Sequence, residues 1–133
     1  MLGWGIGLMW FDVVRLRRKM VIDQIRMCFP DWSYDRAVKV GRASLVNMGI
    51  SIAEFIGLAF WSAEQLKKKV VLEGRENLDK ALAEGKGAVL LAAHISNGDM
   101  GIAGLSANGF PISLISKRFS NPWLDGVWFR VRG

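Results

Sequence analysis

Cysteine, histidine and tyrosine each occur once in this 133-residue chain, and what is scarce narrows the reading first. A lone Cys28 rules out an internal disulfide framework and any metal site built from several cysteines. It sits among Met27, Phe29 and Pro30 with no histidine near it in sequence, so a buried structural thiol is expected rather than a nucleophile. The amino-terminal apolar run, 1–11, falls well short of the roughly 20 residues needed to span a bilayer. It imitates a signal peptide but is not expected to be one: its basic residues follow the apolar stretch instead of preceding it, and no small-residue cleavage site comes after. No helix-turn-helix, zinc-finger or aromatic-basic pattern is present, which argues against a nucleic-acid partner. Internal repeats, low-complexity tracts and interdomain linkers are also missing. The length suits one domain and is too short for two ordinary ones.

What the chain does contain is apolar and basic. Hydrophobic residues make up 51%, with six Trp and seven Phe, and the mean hydropathy is +0.22. Tryptophan favours lipid interfaces. Eighteen basic residues against twelve acidic give a net charge of +6, which suits an anionic partner such as a phosphorylated lipid, an anionic bilayer or an acidic protein. Arg15, Arg17, Arg18 and Lys19 directly follow the amino-terminal apolar run. Two readings fit this arrangement. One is an interfacial helix, or the tail of an anchor, with its basic cluster facing anionic headgroups. The other is a solvated helix face beside an ordinary buried stretch.

The segment 33–61 reads as helical. Ser33 can cap its first turn, and Asp35 stands near the amino end, where the helix dipole favours an acid. Leu45, Val46, Met48, Ile52, Phe55, Ile56 and Ala59 recur at three- and four-residue steps. Asn47, Gly49, Ser51, Glu54 and Gly57 make a transmembrane helix a poor reading, and a core helix with a broad apolar face is expected. From Val70 the pattern alternates: strands at 70–72, 88–93 and 111–115, helices at 76–83 and 98–105, and a further helix opened by Asn121-Pro122 as cap and first position. The expected fold class is therefore α/β. A helical amino-terminal subregion would precede an incomplete, mostly parallel sheet with flanking helices, and ligands would sit at the carboxyl ends of the strands.

His94 stands at the end of the second expected strand, five residues before Asp99. Such a layout puts an imidazole at a strand end and a carboxylate in the first turn of the next helix. Asp99 can then hold one ring nitrogen while the other takes a proton from a substrate. By itself a His-x4-Asp spacing arises easily by chance, and a structural histidine would show the same pattern.

The surrounding residues give it context. Cys28-Phe29-Pro30-Asp31; Asn47-Met48-Gly49 followed by Glu54 and Trp61; the stretch from Leu72-Glu73-Gly74 to Leu78, then Ala81 and Gly85-Lys86-Gly87; His94 with Asp99; and Asn121-Pro122, Leu124-Asp125 and Arg132-Gly133 occur in one order. In that order they resemble the lipid A biosynthesis acyltransferases, the lauroyl/myristoyl transferase family within the glycerolipid acyltransferase superfamily. The active-site motif departs from the usual His-x-Gly-Asn-Trp-Glu form. Asn97 is kept, but Ser96, Gly98 and Asp99 replace the glycine, the tryptophan and the glutamate. Family members are more than twice as long, so the resemblance implies a single partial acyltransferase domain over 1–133. Its expected parts are an apolar/basic interfacial segment at 1–32, a helical part at 33–66 and an α/β part at 70–133.

The resemblance implies transfer of a fatty acyl group from an acyl carrier protein thioester to a hydroxyl of a lipid A precursor. His94 would be the general base and Asp99 its orienting partner. Amides near Asn97 and Gly98 would face the oxyanion. Lys117, Arg118, Arg130 and Arg132 would be the candidates to hold phosphates, with Arg130 or Arg132 favoured. No metal or organic cofactor is implied. The expected place is the cytoplasmic face of the inner membrane, on an anionic surface. Two rivals stand beside this reading. One is an inactive, truncated module that binds the membrane or the acyl carrier; the other is a glycerol-phosphate-type acyltransferase using acyl-CoA.

Overall fold

Four buried residues at four-residue spacing, three of them small, set the packing of the amino-terminal half. In a computed structural model, which describes residues 1–93, 95 and 97–132 (the Arg132 side chain excepted), Cα packing divides the chain into Met1–Ile56 and Gly57–Gly133. The first unit holds α1 (Leu2–Leu8), a π-helical turn (Met9–Val14), α2 (Arg18–Cys28) and nearly all of the long α3 (Tyr34–Leu58). Along α3 the buried positions are Ala37, Gly41, Leu45 and Gly49, a single i, i+4 ridge. Ala37 and Leu45 join Phe11 and Ile22 in the core, with Trp10, Ile25 and Val38 packed against it. Gly41 leaves room for the Phe11 ring and for Val21 and Ile25 of α2.

Where α1 meets α3 the approach is closer still. A Cβ on Gly3 or Gly7 would press into the α3 backbone at Ile50 or Val46, and one on Gly49 into the backbone of Gly3 and Gly7. Helices meet backbone to backbone only across such small residues.

An ion pair ties the π-helical turn to α3: Arg42 donates from Nη2 and Nε to Asp12 Oδ2 at 2.6 and 2.8 Å. The chain then reverses through Arg15 and Arg17, both with positive φ (55° and 61°), a conformation that non-glycine residues adopt at a cost. Two side-chain bonds hold the reversal: Arg15 Nε donates to the Asp12 carbonyl and Trp10 Nε1 to that of Leu16, each at 3.1 Å. Ser33 caps α3 by accepting from the Arg36 amide at 3.3 Å, and Asp35 lies in its first turn. Cys28, expected to be buried, is exposed. The contacts of α2 run through Val21, Ile22 and Ile25, and Cys28 lies past the last of them. Among the described residues no helix is long and apolar enough to cross a membrane.

The second unit contains α4 (Ala63–Lys69), α5 (Arg75–Ala83), α6 (Gly98–Ala107) and α7 (Pro122–Arg132). A reciprocal capping box starts α4, with Ser62 Oγ accepting from Gln65 N and Gln65 Oε1 from Ser62 N. Glycines with positive φ punctuate the unit: Gly74 at the start of α5, Gly85 and Gly87 past its end, and Gly109 after α6. Gly104 lets α6 lie directly on Val70, whose side chain occupies the space a Cβ would need. Phe110 is buried, with the Arg75 guanidinium 4.9 Å from its ring centroid.

The expected α/β class does not hold. Every regular element among the described residues is helical and none is a strand. The segments 70–72, 88–93 and 111–115 carry the apolar, β-branched composition of strands, but no helix or ladder takes them up. A strand is made by its neighbour as much as by its own sequence, because the neighbour supplies the ladder and covers the side chains. Here that cover is missing: Val89, Leu91 and Ile115 are 99%, 101% and 102% exposed. The parallel sheet and its carboxyl-terminal edge are therefore withdrawn as the frame of the site.

Candidate active site

The expected site residues lie at the start of α6, in the segment that leads into α7 and on α7 itself. Asn97 precedes α6, and its Oδ1 accepts the Met100 amide at 3.2 Å. Its carbonyl accepts from Gly101 at 3.3 Å, so both oxygens serve the first helical turn. The side-chain oxygen is thereby committed to capping, and any role of Asn97 toward a ligand rests on its amide groups. Gly98, the first residue of α6, is exposed, with open space where a Cβ would stand. Asp99 is half-buried in the first turn, where the positive end of the helix dipole favours a carboxylate. His94, Ser96 and Gly133 lie outside the described residues. The expected His94–Asp99 hydrogen bond falls there as well.

Beside the segment leading to His94 is a cavity of about 340 Å³, within the usual size range of small-molecule sites. Leu72, Leu78 and Ala81 line one part of it, and Ala88, Val89 and Leu90 another. Leu105 of α6 and the buried Phe110 also line it. Arg75, Glu73 and Asn77 are its polar members.

The four expected phosphate-binding cations fall out differently. Lys117 and Arg130 are exposed. Arg132 ends α7. Arg118 has a built partner: its Nε donates to Asp125 Oδ2 at 3.1 Å. The other oxygen of Asp125 accepts the Phe119 amide at 2.9 Å. The Phe119 ring meets Trp128 edge-on at 5.2 Å. Asp125 is 9% exposed and was legible in the sequence only as part of a resembling segment. The one signal that could have found it is the Asn121 cap, which fixes the helix register and puts residue 125 one turn in.

That cap is as expected from Asn121-Pro122: Asn121 Oδ1 accepts the amides of Trp123 and Leu124 at 2.9 and 3.3 Å. Asn121→Ala should fray the first turn of α7 and cost about 0.5–2 kcal/mol. Equilibrium unfolding in urea checks this, and an unchanged midpoint would show that the cap contributes nothing.

At the amino-terminal basic cluster, Lys19 Nζ pairs with Asp23 Oδ2 at 2.6 Å. The hydrogen bond that Lys19 donates to Asp23, with the carboxylate's charge, raises the Lys19 pKa above the ordinary lysine value. Met1, Leu2, Trp4, Met9, Val13, Val14 and Leu16 are exposed along α1, the π-helical turn and the reversal, so an apolar surface adjoins the arginines.

Over residues 1–133 the sequence matches the family described as bacterial lipid A biosynthesis acyltransferase. It is 24% identical over 135 residues to the lipid A biosynthesis palmitoleoyltransferase of Escherichia coli (strain K12), covering 99% of this chain and 42% of that protein. The lipid A biosynthesis lauroyltransferase of the same organism is 24% identical over 136 residues, covering 98% and 43%. A lipid A biosynthesis acyltransferase of Haemophilus influenzae is 27% identical over 111 residues, covering 81% and 34%. The chain thus spans less than half the length of these curated relatives. No solved structure matches it.

Proposed function

The chain belongs to the bacterial lipid A biosynthesis acyltransferase family, and from that premise we propose that it takes part in moving a fatty acyl group from an acyl carrier protein thioester to a hydroxyl of a lipid A precursor. The observation that carries this reading is the match over the whole of 1–133, within which His94 and Asp99 keep the His-x4-acid spacing. Asp99 stands half-buried in the first turn of a capped helix, a position suited to orienting a base.

An alcohol is a weak nucleophile at neutral pH. His94 takes the hydroxyl proton as the oxygen attacks the thioester carbonyl, while Asp99 fixes the imidazole tautomer and stabilises the imidazolium. The tetrahedral oxyanion draws on amide donors near Asn97 and Gly98. Collapse forms the ester and expels the thiolate, which receives the proton from His94. Lys117, Arg118, Arg130 and Arg132 supply positive charge for phosphates on the acceptor or donor. The cavity lined by Leu78, Val89 and Phe110 suits the apolar acyl chain. The exposed apolar surface of α1 and the π-helical turn, with Arg15, Arg17 and Arg18 beside it, seats the protein on the anionic cytoplasmic face of the inner membrane.

Donor competition tests the reading. With a lipid A precursor as acceptor, an acyl carrier protein thioester should be consumed in preference to acyl-CoA of the same chain length. Preference for acyl-CoA with glycerol-phosphate acceptors would move the chain to the glycerolipid branch of the superfamily.

A further inference from the structure

We infer that Asp125 is a positioning residue that holds Arg118 as a fixed, outward-facing receptor for a phosphate group of a substrate. The inference rests on the acyl-transfer reading and assigns a role to a carboxylate that reading leaves unused.

The pair is asymmetric. The Asp125 side chain is 12% exposed and that of Arg118 is 82% exposed. The carboxylate is taken from water, and both its oxygens are committed, one to the Phe119 amide at 2.9 Å and one to Arg118 Nε at 3.1 Å. A buried carboxylate is costly unless its partners are held in place. Its backbone sits in the first turn of α7, tied by its own amide to the Asn121 carbonyl at 3.0 Å. It therefore acts as a rigid post on a capped helix, to which the 118–119 segment is fastened.

Only one of the five guanidinium N–H donors is used in this bond. Fastening Nε fixes the position of the guanidinium and leaves its terminal amino groups, at the exposed end, for another acceptor. The Phe129 ring, 5.9 Å from the guanidinium carbon, and the edge-on contact of Phe119 with Trp128 narrow its movement further. A guanidinium prepared in this way binds the oxygens of a phosphate with less ordering cost than a free arginine. An exposed ion pair formed only for stability would have no reason to bury the acid and present the base. Lys117, adjacent and exposed, adds positive charge to the same segment.

The test is a double-mutant cycle on Asp125→Asn and Arg118→Gln in the native gene product. Asn keeps an oxygen for the Phe119 amide and removes the charge that holds Arg118, so the fold is retained, as an unchanged thermal midpoint would show. In acyl transfer, each single variant is expected to raise the KM of one substrate about tenfold with kcat within about twofold, the size of a lost charge-assisted hydrogen bond. The double variant should be no worse than either single, as for residues that act as one unit. A rise in acceptor KM assigns the phosphate to the lipid, and a rise in donor KM to the carrier thioester. Binding of inorganic phosphate, followed at the Arg118 Nε–Hε resonance, supplies a readout independent of turnover and should weaken several-fold in Asp125→Asn. If the parent protein transfers no acyl group, the acyl-transfer reading fails and the phosphate titration alone judges the pair. Additive effects of the two variants, a loss confined to stability or kcat, or phosphate binding unchanged by Asp125→Asn would each overturn the inference.

Discussion

His94→Ala is expected to lower acyl transfer by about a hundred- to ten-thousand-fold, the range general base catalysis supplies, while leaving the thermal midpoint where it was. His94 is the single histidine of residues 1–133, so no second imidazole within them can take over the proton. A carboxylate is in general a far weaker base than imidazole for an alcohol proton. Donors at the start of α6 and the binding of the acyl chain would still operate, so a residual rate above background is expected. Asp99→Asn should give a smaller loss, because the amide still orients the ring but no longer stabilises the imidazolium. If the two residues act as one unit, the double variant will fall no further than His94→Ala alone. Transfer retained in His94→Ala, measured with a radiolabelled acyl donor, would sink the mechanism and leave the family assignment standing.

Gly49→Leu is expected to undock α1 from α3 and to cost at least the roughly 1–3 kcal/mol of an overpacked core. Even the Cβ of an alanine at this site would fall within 3.0 Å of the Gly3 carbonyl oxygen and of the Gly7 backbone. Those atoms belong to the main chain of the opposing helix and cannot rotate away. Helix propensity works the other way, since replacing a mid-helix glycine by alanine ordinarily gains about 0.5–1 kcal/mol. A net loss in Gly49→Ala would therefore have to come from the helix contact. Gly5→Ala is the matched control: nothing lies within 4 Å of its Cβ, so it should be neutral or slightly stabilising. Limited proteolysis between α1 and α2, together with the unfolding midpoint, reads both variants. Equal behaviour of Gly49→Ala and Gly5→Ala would mean that α1 does not dock on α3 through its glycines.

Helices whose ends carry their own chemistry were readable from the sequence. Ser33 caps α3 and Asn121 caps α7, while Gly85 and Gly109 adopt the positive φ that follows a helix end. Each of these needs only atoms within a few residues. Asp99 in the first turn of α6 was legible for the same reason. The Gly3–Gly7–Gly49 contact was not, because a glycine's sequence context does not say which backbone will come within reach of it. Cys28 was misjudged on its apolar neighbours, which proved to lie past the packed part of α2.

What the sequence by itself determined is local, or is carried by motif order: the caps of α3 and α7, the start of α6, the basic and apolar amino terminus, the His94-x4-Asp99 spacing and the family. What only the tertiary structure decided is which groups are buried and by whom. The apolar runs at 88–93 and 111–115 have strand composition, yet the ladder and cover that make a strand must come from another segment, and the described residues supply none. Asp125 is the opposite case. One acidic residue among twelve, it becomes a buried post for Arg118 and Phe119 only because α7 folds back on the segment before it. Composition sets what a residue can do, and the partner brought from elsewhere in the chain sets whether it does it.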